Sequence, residues 1–234
     1  IFYDERLFKP GSPGESLIAH ETAHQWFGDA VTEREWPHVW LSEGFATYFA
    51  ALWTEHARGD SAFLADMRSI RSRTLTSSIT GEKAVIDTTL DDLAKVLNTN
   101  VYEKAGFTLH LLRREIGDSA FFRGIRSYYV AHRHGNALTA DLERAFERSS
   151  GRPLGWFFDQ WVYKSAIPTY RFAHRLEAQP DGSYRAFVRV KQEEVPDDFQ
   201  MVVPILLDFG PEGTAVVRIL VTGPVSEMEL PLLP

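Results

Sequence analysis

The 234-residue chain contains no cysteine, which removes disulfides, thiolate nucleophiles and cysteine-ligated zinc or iron–sulfur sites together. Any metal must therefore sit on histidine and carboxylate. Long hydrophobic runs are missing as well: the best candidate, Ile205 to Val221, is broken by Asp208, Gly210, Pro211 and Arg218, whereas a bilayer-spanning helix needs roughly 18 uninterrupted apolar residues. No membrane span is expected in this segment. An excess of positive charge is lacking too. Twenty-five Lys and Arg against 32 Asp and Glu give a formal charge of −7, and a nucleic-acid partner would demand a basic face. The first residue is Ile1 rather than Met, which suggests a trimmed or excised segment, so neither a targeting peptide nor a compartment is read from it. With 44% hydrophobic and 24% charged residues, the composition is that of a globular protein able to bury a core.

Hydrophobic periodicity changes near Ala166-Ile167-Pro168. Before it, apolar residues recur at helical spacing between cap signals; after it, they alternate with polar ones. Ser12-Pro13-Gly14-Glu15 reads as a capping box with proline at the first helical position, opening a helix that Gly28 should close. Further helices are expected from Ser42 to about Arg58, Asp60 to about Arg73, Asn100 to Ile116, Asp118 to about Arg133, Thr139 to Arg148 and Pro153 to Tyr163. Thr74 to Thr89 is the only long loop. Beyond Pro168, Tyr170–Glu177 and Tyr184–Lys191 form a hairpin across Pro180-Asp181-Gly182. Met201–Phe209, Thr214–Val221 and Val225–Leu230 supply three more strands. The fold class is α+β, with a helical region over 1–165 and a small antiparallel β-sandwich over 166–234.

The strongest chemical signal is His20-Glu21-Thr22-Ala23-His24. At about 100° per residue, the two imidazoles lie roughly 40° apart on a helix and one turn along it, so both reach one ion. Ile18, Trp26 and Phe27 suggest that the motif faces inward from mid-helix. A catalytic zinc usually takes three protein ligands and keeps a fourth position for water. A third histidine at His-x-x-Gly-x-x-His spacing is excluded, since Phe27 and Ala30 stand there. Glu43, after eighteen intervening residues and at the start of the second helix, is the natural third ligand.

These residues resemble the gluzincin aminopeptidases related to aminopeptidase N. The resemblance is carried by His20-Glu21-x-x-His24-Gln25-Trp26-Phe27-Gly28, by Trp40-Leu41-Ser42-Glu43-Gly44-Phe45-Ala46 and by Val101-Tyr102-Glu103-Lys104, in that order. It implies a mostly helical, thermolysin-like catalytic subdomain over 1–165, followed by the sandwich. It also implies one zinc ion on His20, His24 and Glu43, with Glu21 as general base and Tyr102 stabilising the oxyanion. The implied activity is removal of N-terminal residues from peptide substrates by zinc-activated water. Residue chemistry agrees: a carboxylate that does not ligate can pass a proton from water to the leaving amine, and a neutral tyrosine can donate to an oxyanion.

Two departures stand out. The family's Gly-x-Met-Glu-Asn motif, whose glutamate binds the substrate ammonium, precedes the segment matching Ile1-Phe2-Tyr3-Asp4-Glu5 and is not in this sequence, nor are the family's N-terminal β domain and helical C-terminal domain. A fragment that binds zinc yet hydrolyses aminoacyl substrates poorly alone is therefore expected. Ala105 also stands where the family commonly has Gly after Lys, which suits a helix interior by about 1 kcal/mol. Two other functions remain open: a zinc endopeptidase accepting N-terminally blocked peptides, and a zinc-stabilised peptide-binding module without turnover.

Other polar and aromatic features have structural readings. Thr47, one turn after Glu43, is a hydroxyl that bonds a metal-ligating side chain or a core threonine. Trp26, Trp36, Trp40 and Trp53 suit a core more than a subsite. His132-Arg133-His134 reads as cations at a helix end. His174 shares a strand face with Tyr170 and Phe172 and should be a core histidine.

Overall fold

A computed structural model of the chain describes residues 3–8, 14–77, 82–89, 92–180 and 182–230. The chain divides into two compact units, Ile1–Ser165 and Ala166–Pro234, the first helical and the second antiparallel β, in an α+β arrangement. No helix among the described residues is long and apolar enough to cross a membrane.

In the first unit, α1 (Gly14–Ala23), β1 (Val31–Glu33), α2 (Trp40–Arg58) and α3 (Asp60–Thr76) come first. There follow the short α4 (Leu93–Val96), a π-helical turn (Asn100–Lys104), α5 (Ala105–Ile116) and α6 (Asp118–His132). β2 (Gly135–Ala137), α7 (Thr139–Ser150), α8 (Gly155–Phe158) and a second π turn (Asp159–Tyr163) complete it. α2 is the organising helix. Leu41, Phe45 and Tyr48 recur at helical spacing and are buried, which gives α2 a continuous apolar face for α1, α3 and α5 to pack on. Aromatic rings carry the contacts: Phe27 stacks on Phe45 with centroids 4.3 Å apart, Phe45 lies parallel to Tyr128, Tyr48 meets Phe121 edge-on, and Phe121 stacks on Phe146.

Several boundaries differ from those the sequence predicts. Ser12 and Pro13 lie outside the described residues. α1 ends at Ala23 rather than running to Gly28. The helices expected from Asn100 and up to Tyr163 each contain a π turn, because periodicity over a dozen residues does not register one widened turn. Within the long loop, α3 reaches Thr76, and Val85 and Ile86 are buried, with the Ile86 N–H donating to the Val162 carbonyl at 3.1 Å. β1 and β2 form a parallel pair, Val31 opposite Gly135 and Glu33 opposite Ala137. Three-residue strands are too short for alternation to reveal.

The second unit follows its predicted strands closely: β3 (Thr169–Ala178), β4 (Tyr184–Glu193), β5 (Gln200–Asp208), β6 (Thr214–Thr222) and β7 (Val225–Glu229). β3, β4 and β7 make one antiparallel sheet in that order, and β5 pairs with β6 in another. Between them lie Val188, Val190, Ile219, Val221 and Leu230, flanked by Val203, Ile205 and Val217. This is a small sandwich core. β3 is an edge strand, and His174 is exposed on it, stacked on Phe172 at 5.9 Å. Expecting a buried His174 was wrong: alternation identifies a strand but not which face another layer covers.

Candidate metal centre

His20 lies in the last turn of α1, and His24 stands just beyond it. The motif thus ends the helix rather than occupying its middle. The chain tightens there through Gln25 N–H to Thr22 O at 3.1 Å and Trp26 N–H to Ala23 O at 3.0 Å, three residues back instead of four. Glu43 comes from the first turn of α2, its N–H bonded to Val39 O. The Phe27–Phe45 stack, three residues after His24 and two after Glu43, ties the segments carrying these two residues together.

The ligand atoms converge. His20 Nε2 and His24 Nε2 are 3.2 Å apart, and each is 3.3 Å from Glu43 Oε2. Ligands about 2.1 Å from a tetrahedral zinc stand about 3.4 Å from one another, so this nearly equilateral triangle has the dimensions of three corners of such a site. It is the only His/Asp/Glu group of three with convergent donor atoms among the described residues. The donor set of two imidazoles and one carboxylate suits zinc.

Charge reinforces the arrangement. Burial alone would raise the Glu43 carboxyl, but the two imidazoles beside it outweigh it and hold the group at about 2. The Glu43 carboxylate 3.3 Å away raises His24, against burial. The other His24 nitrogen, Nδ1, faces the Phe27 carbonyl and Ser42 Oγ, both at 3.1 Å, and the Ser42 hydroxyl itself donates to Phe27 O. An Nδ1–H donor leaves the Nε2 lone pair free for a metal. Gly28 makes room for this: at φ +127°, its absent Cβ would lie 2.5 Å from Ser42 Oγ and 3.2 Å from His24 Nδ1. Ser42 is the partner that sequence reasoning missed, although it adjoins Glu43. Thr47, the alternative weighed from sequence, lines the cleft instead and packs on Gly106.

A cleft of about 660 Å³ opens over the triangle. Glu21 and Tyr102 line it with the three ligand residues, as do Leu17, Ile70 and Arg73. Tyr102 stands on the first π turn, its ring parallel to His20 at 6.1 Å, and lines the cleft with Glu43. Burial first, and then the negative charge of Glu43, raise its phenol well above the ordinary value, so the hydroxyl keeps its proton. α2 and α5 can approach because Gly44 faces Ala105, where an added Cβ would stand 2.7 Å from that of Ala105. The alanine that departs from the family pattern therefore fills the space over Gly44. None of the four tryptophans weighed for a subsite lines the cleft; Trp40 is core, while Trp26, Trp36 and Trp53 are exposed. His132 sits 4.0 Å from Asp141, away from the triangle.

Residues 12–161 match the peptidase family M1 domain. Aminopeptidase N of Streptomyces lividans is 32% identical over 184 residues, which cover 76% of this chain and 21% of that protein. An M1 zinc metallopeptidase structure from Deinococcus radiodurans aligns at 30% identity and a TM-score of 0.59 over 68% of this chain and 35% of its own. Legionella pneumophila aminopeptidase A, in complex with aspartic acid, shares the fold with a TM-score of 0.72 at 23% identity, over 92% of this chain and 24% of its own. The chain spans about a fifth of the length of the curated relatives it matches.

Proposed function

The chain belongs to peptidase family M1, and from that premise we propose that it carries the metal centre of a zinc aminopeptidase that removes N-terminal residues from peptides. His20, His24 and Glu43 would hold one zinc ion. When bound, zinc lowers the pKa of a coordinated water from 15.7 to about 7 and polarises the peptide carbonyl. Glu21, beside the ligands in the cleft, accepts the proton from the attacking water and delivers it to the leaving amine. Tyr102, kept neutral, donates its O–H to the oxygen of the tetrahedral intermediate. Phe27 O and Ser42 fix the His24 tautomer. Residues 1–165 act as the helical part of a thermolysin-like catalytic domain, and 166–234 as a separate β-sandwich domain.

The observation that carries this proposal is the 3.2–3.3 Å triangle of ligand atoms at the floor of the cleft. Its test is metal analysis beside turnover. Wild-type protein should bind one zinc per chain, and His24→Ala and Glu43→Ala should lose it. Glu21→Gln should keep the metal while turnover falls about 10²–10⁴-fold. Wild-type protein that binds no zinc when zinc is supplied, or Glu21→Gln at the parental rate, overturns the assignment. Cleavage of acetylated peptides as fast as free ones would make the enzyme an endopeptidase.

A further inference from the structure

Tyr102 stands on an uncommon piece of backbone. The π turn Asn100–Lys104 is one residue wider per hydrogen-bonded ring than the α-helix it enters, and such turns persist where their surroundings hold them. At its start, the Asn100 side-chain amide donates to the carbonyls of Lys83 at 2.9 Å and Ala84 at 3.1 Å, while the Asn100 N–H donates to Asn98 Oδ1 at 2.9 Å. At its end, the Lys104 ammonium donates to the same Lys83 carbonyl and to that of Ser165, both at 3.3 Å. One carbonyl thus takes a donor from each end of the turn. Tyr102 lies midway, two residues from either.

Both clamp residues are buried, Asn100 at 1% and Lys104 at 2% exposure, whereas Tyr102 opens to the cleft. Burial pushes the Lys104 amine down to about 8, the cost of placing an ammonium there. The segment that offers the Lys83 carbonyl is itself fixed by buried Val85 and Ile86 and by the Ile86 bond to Val162. Across the turn, Ala105 rests on Gly44, next to Glu43. The turn is therefore held from both sides.

We propose that Lys104 and Asn100 are positioning residues for the peptidase reaction: their shared grip on the Lys83 carbonyl holds the π turn, and through it the Tyr102 hydroxyl, in register with Glu43. The proposal rests on the oxyanion role given to Tyr102 above. A lysine that only stabilised the fold would act on every property of the protein alike. A positioning residue acts through Tyr102 and is silent once the hydroxyl is gone.

A double-mutant cycle in the zinc-loaded full-length protein separates the two. Lys104→Met should lower kcat about 10- to 100-fold, as expected for a displaced catalytic group, with KM within about twofold and zinc content unchanged. In a Tyr102→Phe background the same substitution should cost less than about twofold more. Equal losses in both backgrounds, or a folded Lys104→Met protein with full kcat, overturn the proposal. Should Lys104→Met fail to fold, Asn100→Ala, which leaves the ammonium in place, runs the same cycle with the same criteria. If Tyr102→Phe alone leaves kcat unchanged, the role given to Tyr102 falls and the clamp with it; a full Tyr102 effect without a Lys104 effect removes the clamp only.

Discussion

The two units are built on different cores. In the helical unit, stacked and edge-on rings form two runs, Phe27–Phe45–Tyr128 and Tyr48–Phe121–Phe146, each ring large and nearly inaccessible. In the sandwich, the buried cluster is aliphatic, Val188, Val190, Ile219, Val221 and Leu230, while Phe172, Leu206, Val216 and Leu220 are exposed. The first core is thick and the second thin. The candidate site lies on the first, and directly on it: the rings of Phe27 and Phe45 join the two segments that carry His24 and Glu43. A constellation held to a few tenths of an ångström needs supporting side chains locked by packing, and this unit supplies them.

The comparison can be broken most sharply at Phe45. Phe45→Ala should cost about 3–5 kcal/mol of unfolding free energy for the helical unit, measured by denaturant titration or by hydrogen exchange within 14–165, and should weaken zinc binding. A loss no larger than that of a sandwich valine would mean that the stack is not the keystone. Tyr102→Phe comes next: kcat should fall about 10²–10³-fold with zinc content and fold unchanged, which would separate chemistry from packing inside the same unit. Parental turnover in that variant would remove the tyrosine from the mechanism.

His110 probes the aromatic core by pH. Half-buried against Phe63 and Tyr48, it is lowered by desolvation, and further by Arg114 and Arg113, to about 4 from an ordinary 6.5. The unfolded chain thus takes the proton first. Stability from this group is full above about 6.5 and is lost as pH falls towards 4, by roughly 2–3 kcal/mol. His110→Leu should flatten that part of the pH–stability curve, and an unchanged curve would contradict the burial. The smallest effect is expected in the sandwich, where Val190→Ala removes two methyl-sized contacts and should cost about 1.5 kcal/mol, visible as faster exchange in β4 and β7. A cost matching that of Phe45→Ala would erase the contrast between the cores.

How much of this could be read beforehand differs by feature. The meeting of His20, His24 and Glu43 was legible, because ligand chemistry restricts residue types and helix geometry restricts spacing. The five strands were legible because alternation leaves a mark in every residue. Ser42 and the Phe27 carbonyl were not, since any hydroxyl or carbonyl suits a histidine and the choice depends on how Gly28 folds the chain back. Neither π turn was legible: Asn100 and Lys104 look like an ordinary helix start until their donors are seen to share a carbonyl outside the helix. The outward face of His174 escaped for a related reason, since strand order rather than strand pattern decides which side is covered.

The parallel ladder of β1 and β2 has a practical consequence. Val31–Glu33, only seven residues past His24, is paired with Gly135–Ala137, and Ala137 O accepts the Arg34 N–H at 2.9 Å. Every residue assigned to the chemistry falls before position 105, yet a truncation after α5 would strip the metal-side loop of the strand it leans on. The smallest piece expected to keep His20, His24 and Glu43 together is thus set by a hydrogen-bonded seam, well beyond the last of these residues.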